Sequence, residues 1–384
     1  MTGGHVTSAP SKRRSVPAQA IRKKKAMTVK VLAAGDNFIL PETFSKALAS
    51  ELGDRVDISE LLLPWPDTPF GAVGEVDEAS GTEEELIAAL DGRDALVTQL
   101  APVTERVLDA VPGLRFIGVS RGGPTNINVE AARARGVLVV NVPGRNGIAT
   151  AEMTLGLILS AFRRIPLAHG TLLRREWRGD FYRHDHVGRE VSGSTIGLVG
   201  AGAVGSHVAK VLAAMGAEVI VYDPYLPAGA LKGTATVVSD VDDLFARADA
   251  VSIHARLTPE TAQLVDARRI GLMHPGSILV NAARGGLVDY DAVADALESG
   301  QLGAAAFDVF PDEPVNMDER ILQLARQGYD VVCTPHIAGA STQTAERAAS
   351  GVARELRLAL DGAQPMHPLT DAQPFVTSTA RAER

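Results

Sequence analysis

The sequence predicts a two-domain α/β protein with largely parallel sheets. Three observations lead there. From residue 28 onward, β-branched apolar runs alternate with helix-like segments; the alternation stops once, after Asn141; and it resumes as a second series. The strands expected in the first series are Val29–Ala33, Ala95–Leu100, Phe116–Val119 and Val137–Val142. Those of the second are Thr195–Val199, Glu218–Tyr222, Ala250–His254, Ser277–Asn281, Ala304–Phe310 and Val331–Thr334. Each run is short, apolar on both faces and bounded by Gly, Pro, Asp or Asn, as strands covered by helices on both sides require. Between the series lies a loop, Asn141 to Gly147, and then one long connecting helix from about Ala149 to about Arg175. Trp177 is expected to be a packing anchor at its end, and the polar run Arg178–Ser192 an exposed excursion. The Pro64-Trp65-Pro66 stretch reads as a rigid turn, and the tail from Gln364, rich in Pro, Thr, Ser and Ala, as frayed.

Composition narrows the class. The 384 residues suffice for two or three domains at ~100–200 residues each. With 46% hydrophobic and 22% charged residues, the chain is neither disordered nor collagenous. Its most apolar helix-like segment, Met153–Phe162, follows Glu152 and ends at Arg163-Arg164, too short to cross a membrane. The single cysteine, Cys333, lies in an apolar run, so a buried strand position in a reducing, cytoplasmic compartment is expected rather than a disulfide or a cysteine-rich metal site. Residues 1–27 hold seven basic residues and no acid, so the net charge of −8 becomes −15 over residues 28–384. That balance argues against nucleic acid as a partner of the folded part. The basic leader lacks a secretory apolar core; an organelle presequence, a segment that binds something acidic and a non-functional extension are open readings, a disordered extension is the one expected, and Met27, just before the first strand, is an alternative start.

The chemistry begins at Gly200-Ala201-Gly202-Ala203-Val204-Gly205. A strand leads into this G-x-G-x-x-G, a helix (His207–Met215) leads out, and a second strand ends at Asp223, 18 residues after Gly205. Gly200 permits the tight turn, Gly202 lets the backbone approach a pyrophosphate, and Gly205 allows close helix–strand packing. The helix N-terminus offers free N–H groups to phosphates. Asp223 suits the ribose hydroxyls and would repel a 2′-phosphate, so NAD is expected rather than NADP.

Three polar residues stand at the C-terminal ends of successive strands, the edge where open α/β sheets bind ligands: Arg284, Glu313 and His336. A histidine exchanges a proton with an alcohol oxygen, a carboxylate beside it fixes its tautomer, and an arginine fork matches a substrate carboxylate. Together these suit oxidation of a 2-hydroxy acid. His254 is expected to line the cofactor cleft. His184 and His186 sit on the polar excursion and are expected to face solvent, so no metal site is assigned.

These motifs, with His254–Thr261, Asn281–Asp289, Ala306–Pro314 and Thr334–Gly339, resemble the D-isomer-specific 2-hydroxyacid dehydrogenase family over roughly residues 28–365. The similarity is strongest to its phosphoglycerate dehydrogenase-like members. The resemblance implies two Rossmann-like domains, a flavodoxin-like substrate domain and an NAD-binding domain, with the active site in the cleft between them. It divides the chain into a basic extension (1–27), a discontinuous substrate domain (28–146 plus 337–368), an NAD-binding domain (147–336) and a frayed tail (369–384). It implies that Arg284 binds the substrate carboxylate, that His336 is the acid/base and that Glu313 pairs with it. It places Asp308 near the nicotinamide amide, and His254, Ala255, Ala282, Ala283 and Gly339 along the cofactor. A homodimer built on the connecting helix is expected from the same resemblance. Full-length phosphoglycerate dehydrogenases carry an added C-terminal domain that senses serine; with fewer than 20 residues beyond about 366, that control is not expected here.

One loop departs from the family pattern. Where members often carry Gly-Val-Gly-x-Asp-Asn, this chain has Ser120-Arg121-Gly122-Gly123-Pro124-Thr125-Asn126. Gly122 and Gly123 can still present backbone amides to a substrate carboxylate, while Arg121 and Arg145 add cations. Two readings of Arg121 stand side by side: recognition of a second anionic group on the substrate, a phosphate or another carboxylate, and a structural role, capping a local carbonyl or pairing with a neighbouring acid. A glyoxylate or hydroxypyruvate reductase is the alternative activity. Formate dehydrogenases share the fold but pair the histidine with glutamine, against which Glu313 counts. An NADH-sensing, corepressor-like binding protein is the alternative from another class.

Overall fold

The chain forms two parallel sheets, each wrapped by helices; the computed structural model describes residues 1–3, 28–65 and 71–371. The extension expected over residues 1–27 therefore lies, beyond its first three residues, outside the described residues, as do Pro66 of the expected rigid turn and the end of the tail.

The first sheet holds β1 (Val29–Gly35), β2 (Val56–Leu62), β3 (Ala95–Thr98), β4 (Phe116–Val119) and β5 (Leu138–Asn141). Their order, β2-β1-β3-β4-β5, is that of flavodoxin-like doubly wound sheets. Side chains alternate between two cores, which is why the strands read as apolar throughout. Leu32, Leu96, Ile117 and Val139 pack against α2 (Glu83–Leu90), α3 (Glu105–Ala110) and α4 (Val129–Ala134). Val31, Val97, Phe116 and Val140 point the other way, onto α1 (Pro41–Leu52) and the far C-terminal helix α12 (Thr342–Leu360). The amphipathic spacing of α12, with Ala345, Ala348, Ala349, Val352 and Leu356 buried, brings the end of the chain back onto its beginning.

The second sheet holds β6 (Thr195–Val199), β7 (Glu218–Tyr222), β8 (Thr236–Val237), β9 (Ala250–Ile253), β10 (Ser277–Asn281), β11 (Leu302–Phe307) and β12 (Val331–Cys333). Its order is β12-β11-β10-β9-β6-β7-β8, with every pair parallel. The direction of winding reverses between β6 and β9, so a crevice opens at their C-terminal ends, where such sheets hold dinucleotides. Helix α5 (Gly147–Phe162) and α7 (Ala203–Ala214) cover one face. The other face carries α8 (Val241–Arg247), α9 (Ala267–Leu272), α10 (Tyr290–Ser299) and α11 (Arg320–Gln327). Asn128, Asp240, Asp266, Asp289 and Ser341 cap α4, α8, α9, α10 and α12, each side chain accepting from a first-turn N–H.

The chain passes between the sheets twice, after β5 and after β12, and the two passages touch. A Cβ on Gly339 would lie 2.6 Å from Asn146 Nδ2, and Arg347 Nε donates to the Arg145 carbonyl at 2.9 Å.

Four sequence expectations are corrected. The single connecting helix is two, α5 and α6 (Ile165–Leu173), because Arg164 turns left-handed (φ +53°) to reach Asp330 and Pro166 starts a new helix. Trp177 is no packing anchor: it is 89% exposed. The tail from Gln364 is docked as far as Thr370, whose hydroxyl accepts from Val139 N–H and donates to the Val137 carbonyl, completing the open edge of β5. Strands β2 and β8 lay hidden in the sequence because both are edges with polar or exposed positions, β2 alternating Asp57, Ser59 and Glu60 among apolar residues.

Gly118 of β4 lets α12 approach: a Cβ there would lie 2.9 Å from the Phe116 ring and 3.1 Å from Val352 Cβ. Gly118→Val is expected to overpack this contact, at a cost of ~1–3 kcal/mol, and to lower the thermal unfolding midpoint by several degrees.

Candidate active site

Each glycine of the phosphate turn answers a steric demand. Gly200 has φ +98°, and a Cβ there would lie 2.9 Å from the His254 carbonyl. A Cβ on Gly205 would lie 2.2 Å from the Gly200 carbonyl oxygen, so α7 packs directly on the turn. Gly202, the N-cap of α7, has nothing within 4 Å of its missing Cβ. The backbone there is open above the first-turn amides of Ala203, Val204 and Gly205, which have no partner within the helix. At the end of β7, Asp223 accepts from the Ala201 N–H (2.8 Å) and the Tyr225 N–H (2.9 Å), which fixes its carboxylate beside the turn. His254 and Ala255 back the turn from the end of β9. The His254 ring hydrogen-bonds Ser252 Oγ at 3.0 Å, and burial pushes its pKa down to about 4, leaving it uncharged. This open cradle, with its fixed carboxylate, fits a dinucleotide.

Arg284, Glu313 and His336 gather at the C-terminal ends of β10, β11 and β12. Asn281 shapes the first turn: its amide donates to the Arg284 carbonyl (2.9 Å) and accepts from Ala283 N–H (3.0 Å). The Arg284 side chain is exposed and donates to the Ala283 carbonyl at 2.7 Å. A Cβ on Gly285 would lie 2.0 Å from the Phe310 carbonyl, so only glycine allows the Arg284 turn to sit against the Glu313 loop. Beneath that loop, the buried Tyr290 hydroxyl donates to the Val309 carbonyl and its ring packs on Phe307 and Phe310.

Glu313 is held at both oxygens. Oε1 accepts from the Phe310 N–H at 2.9 Å and Oε2 meets His336 Nδ1 at 2.5 Å. Burial pushes the Glu313 carboxyl up, but the bonds from His336 and Phe310, with the charges of His336 and Arg284, outweigh it and hold the pKa below the usual range. The same bond, against the cost of burial, raises His336 above its usual value. Because Nδ1 is taken, Nε2 is the nitrogen left for a substrate.

His336 is left-handed at φ +52°, a conformation that costs a non-glycine residue about 1–3 kcal/mol. Asp308 sustains it. Its carboxylate accepts from the Thr334 hydroxyl (2.5 Å), Ile337 N–H (3.0 Å) and Ala338 N–H (2.8 Å), and its carbonyl accepts from His336 N–H (2.7 Å). Asp308, expected beside the nicotinamide amide, is fully buried and holds the His336 turn. Gly339 packs on Asn146, at the passage between the sheets.

Across the cleft, Asn141 Nδ2 donates to the Gly122 carbonyl at 2.8 Å, and Val142 N–H donates to the Arg121 carbonyl at 2.9 Å. Space above Gly123 is open to 4 Å. Arg121 pairs with the Glu78 carboxylate and donates to the Glu78 carbonyl. Arg145 turns inward to donate to the Ser120 carbonyl. Of the remaining candidates, His184 is exposed, His186 binds Asp180 at 3.0 Å, and burial pushes the Cys333 thiol up to about 12. Sequence reasoning missed Asn281, Gly285, Tyr290, Asn146 and Glu78. Of these, Asn281 and Gly285 lay inside the Arg284 motif and Asn146 inside the loop before the connecting helix.

Residues 155–338 match the family model "D-isomer specific 2-hydroxyacid dehydrogenase, NAD binding domain". The D-3-phosphoglycerate dehydrogenase of Mycobacterium tuberculosis is 38% identical over 325 residues, 84% of this chain but 57% of that protein. This chain thus spans just over half the length of such relatives. YoaD of Bacillus subtilis, which bears a 2-hydroxyacid dehydrogenase name, is 37% identical over 268 residues, 67% of this chain and 75% of that one. In fold, the chain is similar to the NAD-complexed D-isomer specific 2-hydroxyacid dehydrogenase of Lactobacillus delbrueckii, with a TM-score of 0.73 at 23% identity, covering 89% of this chain and all of that one. No helix among the described residues is long and apolar enough to cross a membrane. The sheet order, the phosphate turn and these similarities converge: the chain belongs to the D-isomer-specific 2-hydroxyacid dehydrogenase family, and residues 155–338 form its NAD-binding domain.

Proposed function

We propose that the protein is an NAD-dependent D-2-hydroxyacid dehydrogenase of the cytoplasm, acting on a substrate that carries a second anionic group, such as 3-phosphoglycerate. The observation that carries the reading is the His336–Glu313 pair, with Nδ1 bound and Nε2 free, beside the exposed Arg284 fork. In this reading residues 28–146 plus 337–368 form the substrate domain and 147–336 the cofactor domain.

Arg284 binds the substrate carboxylate and polarises the C2 oxygen, with help from the amides of Gly122 and Gly123. His336 Nε2 takes the hydroxyl proton in oxidation and returns it in reduction. Glu313 stabilises the imidazolium, and Asp308 positions the ring through the turn it holds. The Gly202 opening, the α7 amides and Asp223 hold the dinucleotide, with His254, Ala255, Ala282 and Ala283 lining its path. A nicotinamide cofactor held there would supply the hydride chemistry at C2.

A homodimer fits the same reading. Helix α6 is rich in apolar residues yet buries only Thr171, while Ile165, Leu172, Leu173, Trp177 and Tyr182 are exposed along one continuous stretch. Leu173→Glu with Trp177→Glu is expected to convert a species of twice the chain mass to monomer in sedimentation equilibrium. An unchanged mass would place the partner surface elsewhere.

NADH absorbance followed with glyoxylate, hydroxypyruvate, 3-phosphohydroxypyruvate and 2-oxoglutarate tests the activity. Turnover confined to glyoxylate and hydroxypyruvate would select the reductase alternative, and NADH binding without turnover the sensor. His336→Gln is expected to lower kcat by about 10²–10⁴ while NADH binding survives.

The pH dependence follows from the raised His336 pKa. Reduction needs the protonated ring, so it persists above the ordinary histidine value and is lost as pH rises through the raised one; oxidation gains along the same limb. Glu313→Gln removes the largest raising interaction and is expected to move both limbs to lower pH. Limbs that stay in place would separate His336 from the titration.

A further inference from the structure

The Arg121 fork is occupied by the chain's own carboxylate. Glu78 lies 43 residues away, yet its carboxylate pairs with Arg121 Nη2 and its carbonyl accepts from Nη1 at 3.3 Å. The loop bearing it is fastened on both sides, by Asp77 N–H to the Thr125 carbonyl (3.1 Å) and Ser80 N–H to the Leu100 carbonyl (2.9 Å). Between these anchors Glu78 adopts a left-handed backbone, φ +49°, strained for a non-glycine residue. That twist turns its carbonyl and its side chain toward the same guanidinium.

The surroundings make this a charged site rather than a surface pair. The Arg121 side chain is 16% exposed, whereas that of Glu78 is 49% exposed. The arginine is therefore built in and the glutamate is the partner facing solvent. Arg145 sits close enough for the two guanidinium groups to repel; burial, then that repulsion, pushes its pKa down to about 10, where it stays charged near neutrality. Asp36, fully buried at the end of β1, accepts from Phe38 and Ile39 N–H with one oxygen and has no hydrogen-bond partner at the other. Burial raises its pKa, which weakens it as a counter-ion. Glu78 is thus the exposed, exchangeable counter-charge of a two-arginine cluster. The cluster borders the site, since Arg145 precedes Asn146, which packs on Gly339 of the His336 segment.

We propose that Glu78 is an internal stand-in for the substrate's distal anion: it fills the Arg121 fork in the free protein and is displaced when a 2-hydroxy acid with a second anionic group binds. The inference rests on the second-anion reading above. Glu78 takes both terminal nitrogens of Arg121, Nη2 through its carboxylate and Nη1 through its carbonyl, so a distal phosphate must displace it to use that edge of the fork. The apparent affinity for the phosphorylated ligand is the intrinsic affinity multiplied by the fraction of molecules in which the fork is free. A ligand without a distal anion leaves the pair closed, so Glu78 sets how strongly the cleft prefers doubly anionic substrates.

The test is calorimetric titration of the NAD-saturated protein with D-glycerate and with 3-phospho-D-glycerate. The quantity read is the ratio of their dissociation constants. In Glu78→Gln the preference for the phosphorylated ligand is expected to rise about tenfold, and in Arg121→Gln it is expected to vanish. Glu78→Asp, which keeps the charge but shortens its reach, moves the ratio in the same direction as Glu78→Gln and covers the case in which one variant misfolds. If the natural chain prefers the phosphorylated ligand but neither Glu78 variant changes the ratio, the stand-in is overturned and the second-anion reading survives. If the natural chain has no preference but Glu78→Gln acquires one, Glu78 shuts the fork against distal anions without being displaced, and both the exchange and the second-anion reading are overturned. No preference in any of them overturns both.

Discussion

The buried carboxylate of Asp308 is the constraint on which the site depends. It lies at the end of β11, with no exposed surface, and must be satisfied internally. Three donors from residues 334–338 converge on it, and its own carbonyl takes the His336 N–H. Satisfying one charge therefore fixes five consecutive residues. Those residues include the acid/base candidate and the passage that returns the chain to the first sheet. Catalytic placement and domain connection share one hydrogen-bonded knot.

A second shared element lies one strand away. Gly285 and Tyr290 belong to the same short stretch after β10, one yielding space to the Phe310 backbone and the other propping it from below. The Glu313 loop is seated from two sides before it meets His336. Its carboxylate spends one oxygen on its own backbone and only the other on the imidazole. That division orients the carboxylate, since a side chain anchored to its own loop has little freedom left to lose when the ring approaches.

Much of this was readable in the sequence because it is local. The glycines at 200, 202 and 205 work within one turn, and Arg284, Glu313 and His336 each follow a strand that its β-branched run announces. What escaped depends on distance or on edges. Strands β2 and β8 border the sheets, where one side needs no apolar cover, so their periodicity is diluted. The break between α5 and α6 follows from Arg164 reaching Asp330, a partner 166 residues on that no local pattern reveals. Thr370 completes β5 from the far end of the chain, and Glu78 reaches Arg121 across two strands. The hydrogen bonds of Asp308 were invisible for a similar reason: its donors come from residues 334–338, after the neighbouring strand.

The paired passages between the sheets carry a mechanical consequence. Two chain crossings that touch at Asn146 and Gly339, and are laced again by Arg347 to the Arg145 carbonyl, form a strap rather than two independent tethers. Both crossings are loop backbone rather than paired strands, Asn146 at the N-cap of α5 and Gly339 lying in a turn three residues from His336. A change in the angle between the sheets taken up at that strap would move the Gly122–Gly123 loop of the first sheet more than the imidazole beside it.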